Sequence, residues 1–383
     1  PEGSKPNRDT ALYYLYRGQE VESVNDRAGS TKSENPYKFE ISLRAEDDKT
    51  LKKVRKAMNK TSMLSYLLYE DGKITIDEIT PKDRFGILYD NNTVHTSASV
   101  GKSLVSYVTG HAICKGYING IDHRLNDWPL LENTLFYDQK LINLLNMATG
   151  HQKYADFNLK TDKYHKNANS NTVEFHLKKG VFKNSKKAKS KYQYTNFLSN
   201  LLINYVWFKS EGKFQDLLDE IFVEKAKIEN DAWFLKMNDR TIKMNNRNNS
   251  ILKEYEVKDE DGPLRYSFRA SRYDYLRIAK AMLDDWQNDT CVGKYLKTIR
   301  ELRIPKNHKW KDEKTHDLNS KSYAGKFHTN YSGMKKRNVM GMSGFGGQSI
   351  MIDFDRGRIN VINSIHTDYN WRKTAHSVIQ KGK

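Results

Sequence analysis

Two β-hairpin signals stand near opposite ends of the chain, and most of what lies between them is patterned as helix. Residues 63–68 and 74–79 are apolar runs on either side of Asp71-Gly72, a dipeptide that supplies the left-handed backbone of a tight turn. Near the other end, 349–354 alternates, Arg356-Gly357 turns and 359–365 returns. Between them, Leu104, Val105, Val108 and Ala112 share one helical face. So do Leu141, Ile142 and Leu145, then Phe197, Leu198, Leu201, Leu202, Tyr205 and Val206. A further stripe is Tyr275, Leu276, Ala279, Met282, Leu283 and Trp286, and short helices are expected at 51–58 and 371–380. An isolated hairpin is marginal in water, so each must find a sheet. The order strands, helices, strands predicts an α+β fold with an antiparallel sheet built from both chain ends, flanked by helices, and an inserted mostly α-helical domain. The expected divisions are an N-terminal extension (1–36), a sheet domain (37–114 and 262–383) and a helical domain (115–261). The lysine-rich stretch 177–193 and the asparagine-rich stretch 244–250 read as surface loops.

Charge suggests a nucleic-acid binder and the motifs do not support one. Lys plus Arg is 65 against 47 Asp plus Glu, a formal net charge of +18. The lysines are spread along the whole chain, with no zinc-finger spacing and no aromatic RNA-binding motif, so a polyanion-binding protein stands only as an alternative of another class. No apolar run is long enough for a membrane span. Because the sequence starts at Pro1, a trimmed export signal would make the protein periplasmic or secreted, and its absence cytoplasmic. Cys114 and Cys291 are too far apart for a CxxC motif or a metal cluster, and two free thiols are expected, a single disulfide being the alternative. The 11 histidines show no ligand spacing and there is no HExxH, so neither metal nor organic cofactor is called for.

Two phosphate-loop patterns fail on inspection. Gly101-Lys102-Ser103 would need a glycine where Thr96 stands, and the glycines at 341, 344, 346 and 347 miss GxGxxG because Ser349 takes the last place. The segment Ser99-Val100-Gly101-Lys102 has a different chemistry. Residues three apart share a helical face, so the lysine amine sits beside the serine hydroxyl and can take its proton once desolvation lowers the amine's pKa. The pattern recurs at Ser210, Ser250 and Ser332, each with a lysine three residues on. Only Ser99 follows a run of small residues, Thr96-Ser97-Ala98, and opens an apolar helix.

The stretch from His95 to Leu104 resembles the nucleophile segment of the serine β-lactamase and penicillin-binding protein family. It is most similar to the class C-like branch, which includes family VIII carboxylesterases and 6-aminohexanoate-dimer hydrolases. The blocks Gly120 to Asp127 and Leu141 to Gly150 resemble the segments that follow the nucleophile helix there. Of three Tyr-x-Asn matches, only Tyr194-Thr195-Asn196 lies where the family places its second motif; those at Tyr89 and Tyr117 are before or too near the nucleophile helix. The resemblance implies that Tyr194 shuttles a proton between nucleophile and leaving group. It implies that Asn196 orients the substrate carbonyl region and the Lys102 amine. The alternative for Asn196 is a simple helix N-cap.

The family's third motif, Lys/His-Thr/Ser-Gly on an inner strand, is matched by Met342-Ser343-Gly344, followed by Phe345-Gly346-Gly347-Gln348. By resemblance Met342, Ser343 and Gly344 contact substrate, and the amide N–H groups of Ser99 and Phe345 form an oxyanion hole. Met342 departs from the pattern: β-lactamases usually have a cation there for the β-lactam carboxylate, and a thioether cannot replace it. Tyr154 is a further expected pocket residue. The resemblance covers roughly residues 60–380 and implies a β-lactamase/transpeptidase-like fold. It also implies an acyl-enzyme hydrolase for a small-molecule ester or amide, acting without a cofactor. A β-lactamase, a D-Ala-D-Ala carboxypeptidase and a non-catalytic penicillin-binding-like receptor are the alternatives.

Overall fold

The computed structural model describes residues 7–9, 11–12, 27–150, 190–236, 264–306, 320–366 and 372–381. In chain order the strands are β1 (Arg27–Ser30), β2 (Glu40–Ile41), β3 (Met63–Glu70), β4 (Lys73–Ile79), β5 (Val94–Thr96), β6 (Ala232–Lys236) and β7 (Leu264–Ser271). They continue with β8 (Ile304–Pro305), β9 (Ser320–Ala324), β10 (Phe327–Tyr331), β11 (Val339–Gly344), β12 (Gln348–Asp353) and β13 (Arg358–Ser364). The helices used below are α1 (Asp48–Lys60), α2 (Val100–Cys114), α3 (Leu141–Leu145), α4 (Phe197–Lys209), α5 (Phe214–Asp219), α6 (Arg272–Gln287), α7 (Cys291–Glu301) and α8 (Ser377–Lys381).

The main sheet has nine strands in the order β2-β4-β3-β13-β12-β11-β10-β9-β8. It is the sheet from both chain ends that the two hairpins imply, and the seam is β3 against β13, with Leu67 opposite Val361. All neighbours are antiparallel except β2, which runs parallel to β4 at one edge. The first hairpin turns on Asp71 (φ 51°) and Gly72 (φ 81°), the left-handed pair that a two-residue turn needs.

Alternation along the strands fills two layers. Leu67, Tyr69, Ile350, Ile352, Ile359 and Val361 face the larger core with the central helices. Tyr66, Leu68, Met351 and Ile362 face the other side, where Val54 and Met58 of α1 and Val378 and Ile379 of α8 cover them. The α+β architecture read from the sequence is therefore present, with helices on both faces of the sheet.

A second, four-stranded sheet, β1-β6-β7-β5, carries no local sequence signal. Its strands come from four distant stretches, so no tight turn announces any pairing. It matters because β5 leads straight into the segment before Ser99. Helix α2 also differs from the single stripe read in the sequence. Every residue from Val100 to Ala112 is buried, and the helix is enclosed on all sides. Gly110 lets α7 approach, since a Cβ there would lie 2.4 Å from the Tyr295 ring, and Ser106 Oγ lies 2.8 Å from Tyr295 Oη.

The same approach corrects the expectation of free thiols. Cys114 ends α2 and Cys291 begins α7, with Cα atoms 5.9 Å apart, and the two form a disulfide. Helix packing brings together residues separated by 177 positions. The lysine-rich stretch also ends inside the protein: Tyr192 and Gln193 are buried, not part of a surface loop. The rest of that stretch up to residue 189, together with 244–250 and Trp371, lies outside the described residues. Among the described residues no helix is long and apolar enough to cross a membrane, and no cluster of histidine, cysteine and acidic residues could hold a metal.

Because the bond closes a long loop, its loss should be costly. Cys114→Ser with Cys291→Ser is expected to lower unfolding free energy by about 2–5 kcal/mol. Denaturant titration of oxidised, reduced and mutant protein checks this; coincident midpoints would contradict it.

Candidate active site

The site begins where β5 ends. Ser97 prolongs the pairing of β5 with β7: its N–H donates to Phe268 O and its Oγ accepts from Phe268 N–H, both at 2.8 Å. The same hydroxyl donates to Ala98 O at 2.9 Å. Ala98 is left-handed (φ 44°), a conformation that costs an L-residue about 1–2 kcal/mol. The Ser97 bonds on either side hold it there, and strain of this kind gathers at functional sites. The chain thus turns sharply from strand to helix, and Ser99 becomes the N-cap residue of α2 without using its side chain to cap.

The Ser99 hydroxyl faces Lys102 instead. Lys102 Nζ lies 2.8 Å from Ser99 Oγ and 2.7 Å from Asn196 Oδ1, and the lysine is only 1% exposed. Burial, aided by repulsion from Lys326, pulls the amine's pKa well below the usual lysine value. No carboxylate pairs with it among the described residues. Two aromatic faces do: Nζ is 3.8 Å from the ring centroid of Tyr266 and 4.7 Å from that of Tyr194. Both phenols are pushed up by burial and drawn back by a side-chain hydrogen bond to Ser99.

Asn196 occupies the N-cap position of α4 but makes no capping bond with its side chain. Thr195 Oγ1 accepts from Phe197 N–H at 3.2 Å in that turn. The Asn196 Oδ1 is left for Lys102 and for Tyr266 Oη, which donates to it at 3.0 Å. Tyr194 is fixed from both sides: Gln193 N–H donates to Met147 O at 2.8 Å and Thr195 N–H to Met147 Sδ at 3.4 Å.

Two glycines let backbone close on Ser99. A Cβ on Gly101 would lie 2.0 Å from Tyr266 O, so β7 rests directly on the first turn of α2. A Cβ on Gly344 would lie 2.4 Å from Ser97 O, so the end of β11 rests on the elbow. Phe345 follows, 66% exposed at the mouth. Among the described residues, the amide N–H groups of Ser99 and Phe345 have no acceptor. Helix dipole and bare amides together make this spot receptive to negative charge.

No protein-family model matches the sequence, and no curated protein matches it. Solved structures do match. A Bacillus anthracis protein described as a 6-aminohexanoate-dimer hydrolase aligns with TM-score 0.61 and 13% identity over 96% of this chain and 91% of its own. A class C β-lactamase in complex with cefoxitin aligns with TM-score 0.56 and 14% identity over 88% and 98%. FmtA from Staphylococcus aureus aligns with TM-score 0.55 and 15% identity over 98% and 97%. The chain has the β-lactamase/transpeptidase-like fold. The resemblance carried by a few motifs therefore extends to the whole architecture, although few residues are shared.

Within this fold, Ser99, Lys102, Tyr194 and Asn196 come together as the motifs led us to expect. Ser343 and Gly344 are half-buried at the strand end beside the elbow. Met342 does not join them. It is 1% exposed and packs with Met340 and Ile350 in the core on the α2 side, because alternate residues of β11 point to opposite faces. Tyr154 lies outside the described residues. Tyr266 was missed altogether. It sits in no motif, and its approach to Lys102 depends on the missing Cβ of Gly101, 165 positions earlier in the chain.

Gly101→Ala tests that contact. Alanine would add about 1 kcal/mol of helix propensity. The clash is with backbone, and overpacking of this kind typically costs about 1–3 kcal/mol. The expected result is lower stability in urea, together with slower reaction of Ser99 as β7 is pushed from α2. An alanine variant as stable and reactive as the parent would show that β7 does not need to lie so close.

Proposed function

We propose that this protein is an active-site serine hydrolase that cleaves a small ester or amide through an acyl-enzyme. The observation that carries the reading is the 2.8 Å approach of a buried, unpaired lysine amine to the Ser99 hydroxyl. An amine held as free base can take a hydroxyl proton at a pH where an ordinary lysine cannot.

In this reading Ser99 Oγ attacks the carbonyl and its proton passes to Lys102 Nζ. The charge that develops on the carbonyl oxygen is held by the N–H groups of Ser99 and Phe345. The two tyrosine faces and Asn196 Oδ1 steady the new ammonium. Tyr194, whose raised pKa keeps it protonated near neutrality, gives its proton to the leaving group and is resupplied by Lys102. Water then releases the acyl group by the same relay in reverse. Asn196, Ser343 and Gly344 line the path of the substrate carbonyl. No cofactor is invoked. The Cys114–Cys291 bond fits an oxidising compartment, where such bonds persist.

Substrate choice turns on the lack of a cation at position 342, where Met342 is buried in the core. A β-lactam brings a carboxylate that needs a cation or several donors, and a buried thioether is only a weak acceptor. Losing one charge-assisted hydrogen bond costs about 1.5–3 kcal/mol, or roughly 10–150-fold. A short-chain p-nitrophenyl ester should therefore show higher kcat/KM than a chromogenic cephalosporin. Equal or better cephalosporin turnover would favour a β-lactamase.

The nucleophile is tested directly. Ser99→Ala should lower turnover by several decades, on the order of 10³–10⁶, with folding preserved, and intact-mass analysis after fluorophosphonate treatment should find one adduct, on Ser99. Retained turnover in the variant would overturn the reading. The pH profile follows from the sign of the shift at Lys102. The base is active above its lowered pKa, so the acid limb of kcat/KM should lie well below the ordinary lysine value, with kcat/KM falling as pH drops through it. An acid limb near the ordinary lysine value of 10.5 would contradict this.

A further inference from the structure

Helix α1 (Asp48–Lys60) turns a row of lysines to the outside. At 3.6 residues per turn, Lys49, Lys52, Lys53, Lys56 and Lys60 fall within roughly 100° of arc. All five are exposed. The other side of the helix holds Val54 and Met58, buried against the main sheet with Leu51 and Ala57 beside them. The helix is therefore apolar toward the sheet and cationic away from it.

Acids do not offset the row. Among the described residues none of the five lysines is in an ion pair, whereas lysines elsewhere pair with an acid, as Lys140 does with Asp122 and Lys297 with Asp289. The acids beside the helix are otherwise placed: Glu78 is taken by Arg55 and Asp47 by Arg44, and Asp48 lies in the first turn, off the arc. The spacing works against the helix itself. Lys49 and Lys53, Lys52 and Lys56, and Lys56 and Lys60 are four apart, so like charges face one another along the row. Lys49 also stands at the end where the helix dipole disfavours a cation. The same five charges dispersed among acids would serve solubility without this repulsion. Two apolar side chains lie in the segment that leads into α1. Ile41, on the edge strand β2, is 53% exposed and Leu43 is 64% exposed. Neither joins a core cluster among the described residues.

We propose that the outer face of α1 docks on an anionic lipid surface, through its five lysines and with Ile41 and Leu43 at its edge. A row of lysines on one helix face matches a layer of anionic headgroups. Exposed apolar side chains suit the interface of a bilayer and have no counterpart in the phosphate backbone of a nucleic acid. Because the apolar side of α1 is spent on the sheet, the helix lies on the surface and does not enter the hydrocarbon. The sheet stands between α1 and α2, so docking leaves the Ser99 side of the molecule free. The inference is independent of the reaction of Ser99.

The test is sedimentation of the full chain with vesicles of phosphatidylcholine alone and of phosphatidylcholine mixed with phosphatidylglycerol. It is run at about 0.1 M and about 1 M salt, where the Debye length is about 10 Å and about 3 Å. The protein should bind the mixed vesicles at low salt, come off at high salt and ignore phosphatidylcholine alone. Lys49→Gln, Lys52→Gln, Lys53→Gln, Lys56→Gln and Lys60→Gln together should weaken binding by roughly fivefold for each lysine removed. Lys32→Gln, Lys140→Gln, Lys213→Gln, Lys294→Gln and Lys321→Gln together remove the same charge from elsewhere and should cost far less. Equal losses in the two variants would show that net charge alone is at work and overturn the inference. Equal binding to both vesicles, or none to either, overturns it too. Duplex DNA bound more tightly than the mixed vesicles, and lost with the α1 substitutions, would assign the face to nucleic acid instead. Lysine acetylation of the parent protein needs no variant. With mixed vesicles present the five α1 lysines should react more slowly than without them, and unchanged reaction there refutes the inference.

Discussion

A lysine amine kept dry beside a serine hydroxyl that is only half-buried is the constraint on which the rest of this structure depends. Lys102 is 1% exposed, while Ser99, three residues earlier, is only half-buried. Water on the amine would restore its ordinary basicity and leave it protonated; cover over the serine would exclude substrate. Helix α2 meets both demands by being buried from Val100 to Ala112 while Ser99, at its N-cap, stays half-buried. The left-handed Ala98, held by Ser97, lifts Ser99 to that opening. The formal charge of +18 has little to do with it. The chemistry depends on a few charges being withheld from solvent, not on how many the surface carries.

What surrounds Lys102 is as informative as its burial. A carboxylate at hydrogen-bond distance would fix the ammonium and take away the lone pair that the proposed proton transfer from Ser99 needs. Two phenol faces and one amide oxygen stabilise a positive charge less strongly, and so tolerate the amine in either state. The position of Asn196 follows the same logic. At a helix start its carboxamide would ordinarily cap the helix; here it is spent on Lys102 and Tyr266.

Shared architecture at 13–15% identity means that the fold is retained while most side chains are not. The strand end opposite Ser99 shows what the fold itself demands. Gly344 is needed there because the elbow backbone leaves no room for a Cβ, whatever the substrate. Met342, two residues back, is buried in the core.

Features that depend on neighbours in the chain were legible in the sequence. The hairpin on Asp71-Gly72, the helical stripes and the pairing of Ser99 with Lys102 follow from turn geometry and from the three-residue spacing of one helical face. Tyr194 and Asn196 were found through a motif, and the α+β layering through the order of elements. Contacts between distant segments were not legible, because the sequence carries no record of how closely two backbones approach. The Cys114–Cys291 bond, the four-stranded sheet, the lodging of Tyr266 against Lys102 and the burial of Lys326 all required the packed tertiary structure. Local geometry thus determined that Ser99 and Lys102 share one helical face. Packing decided that the Lys102 amine is dry, the condition on which the proposed reaction depends.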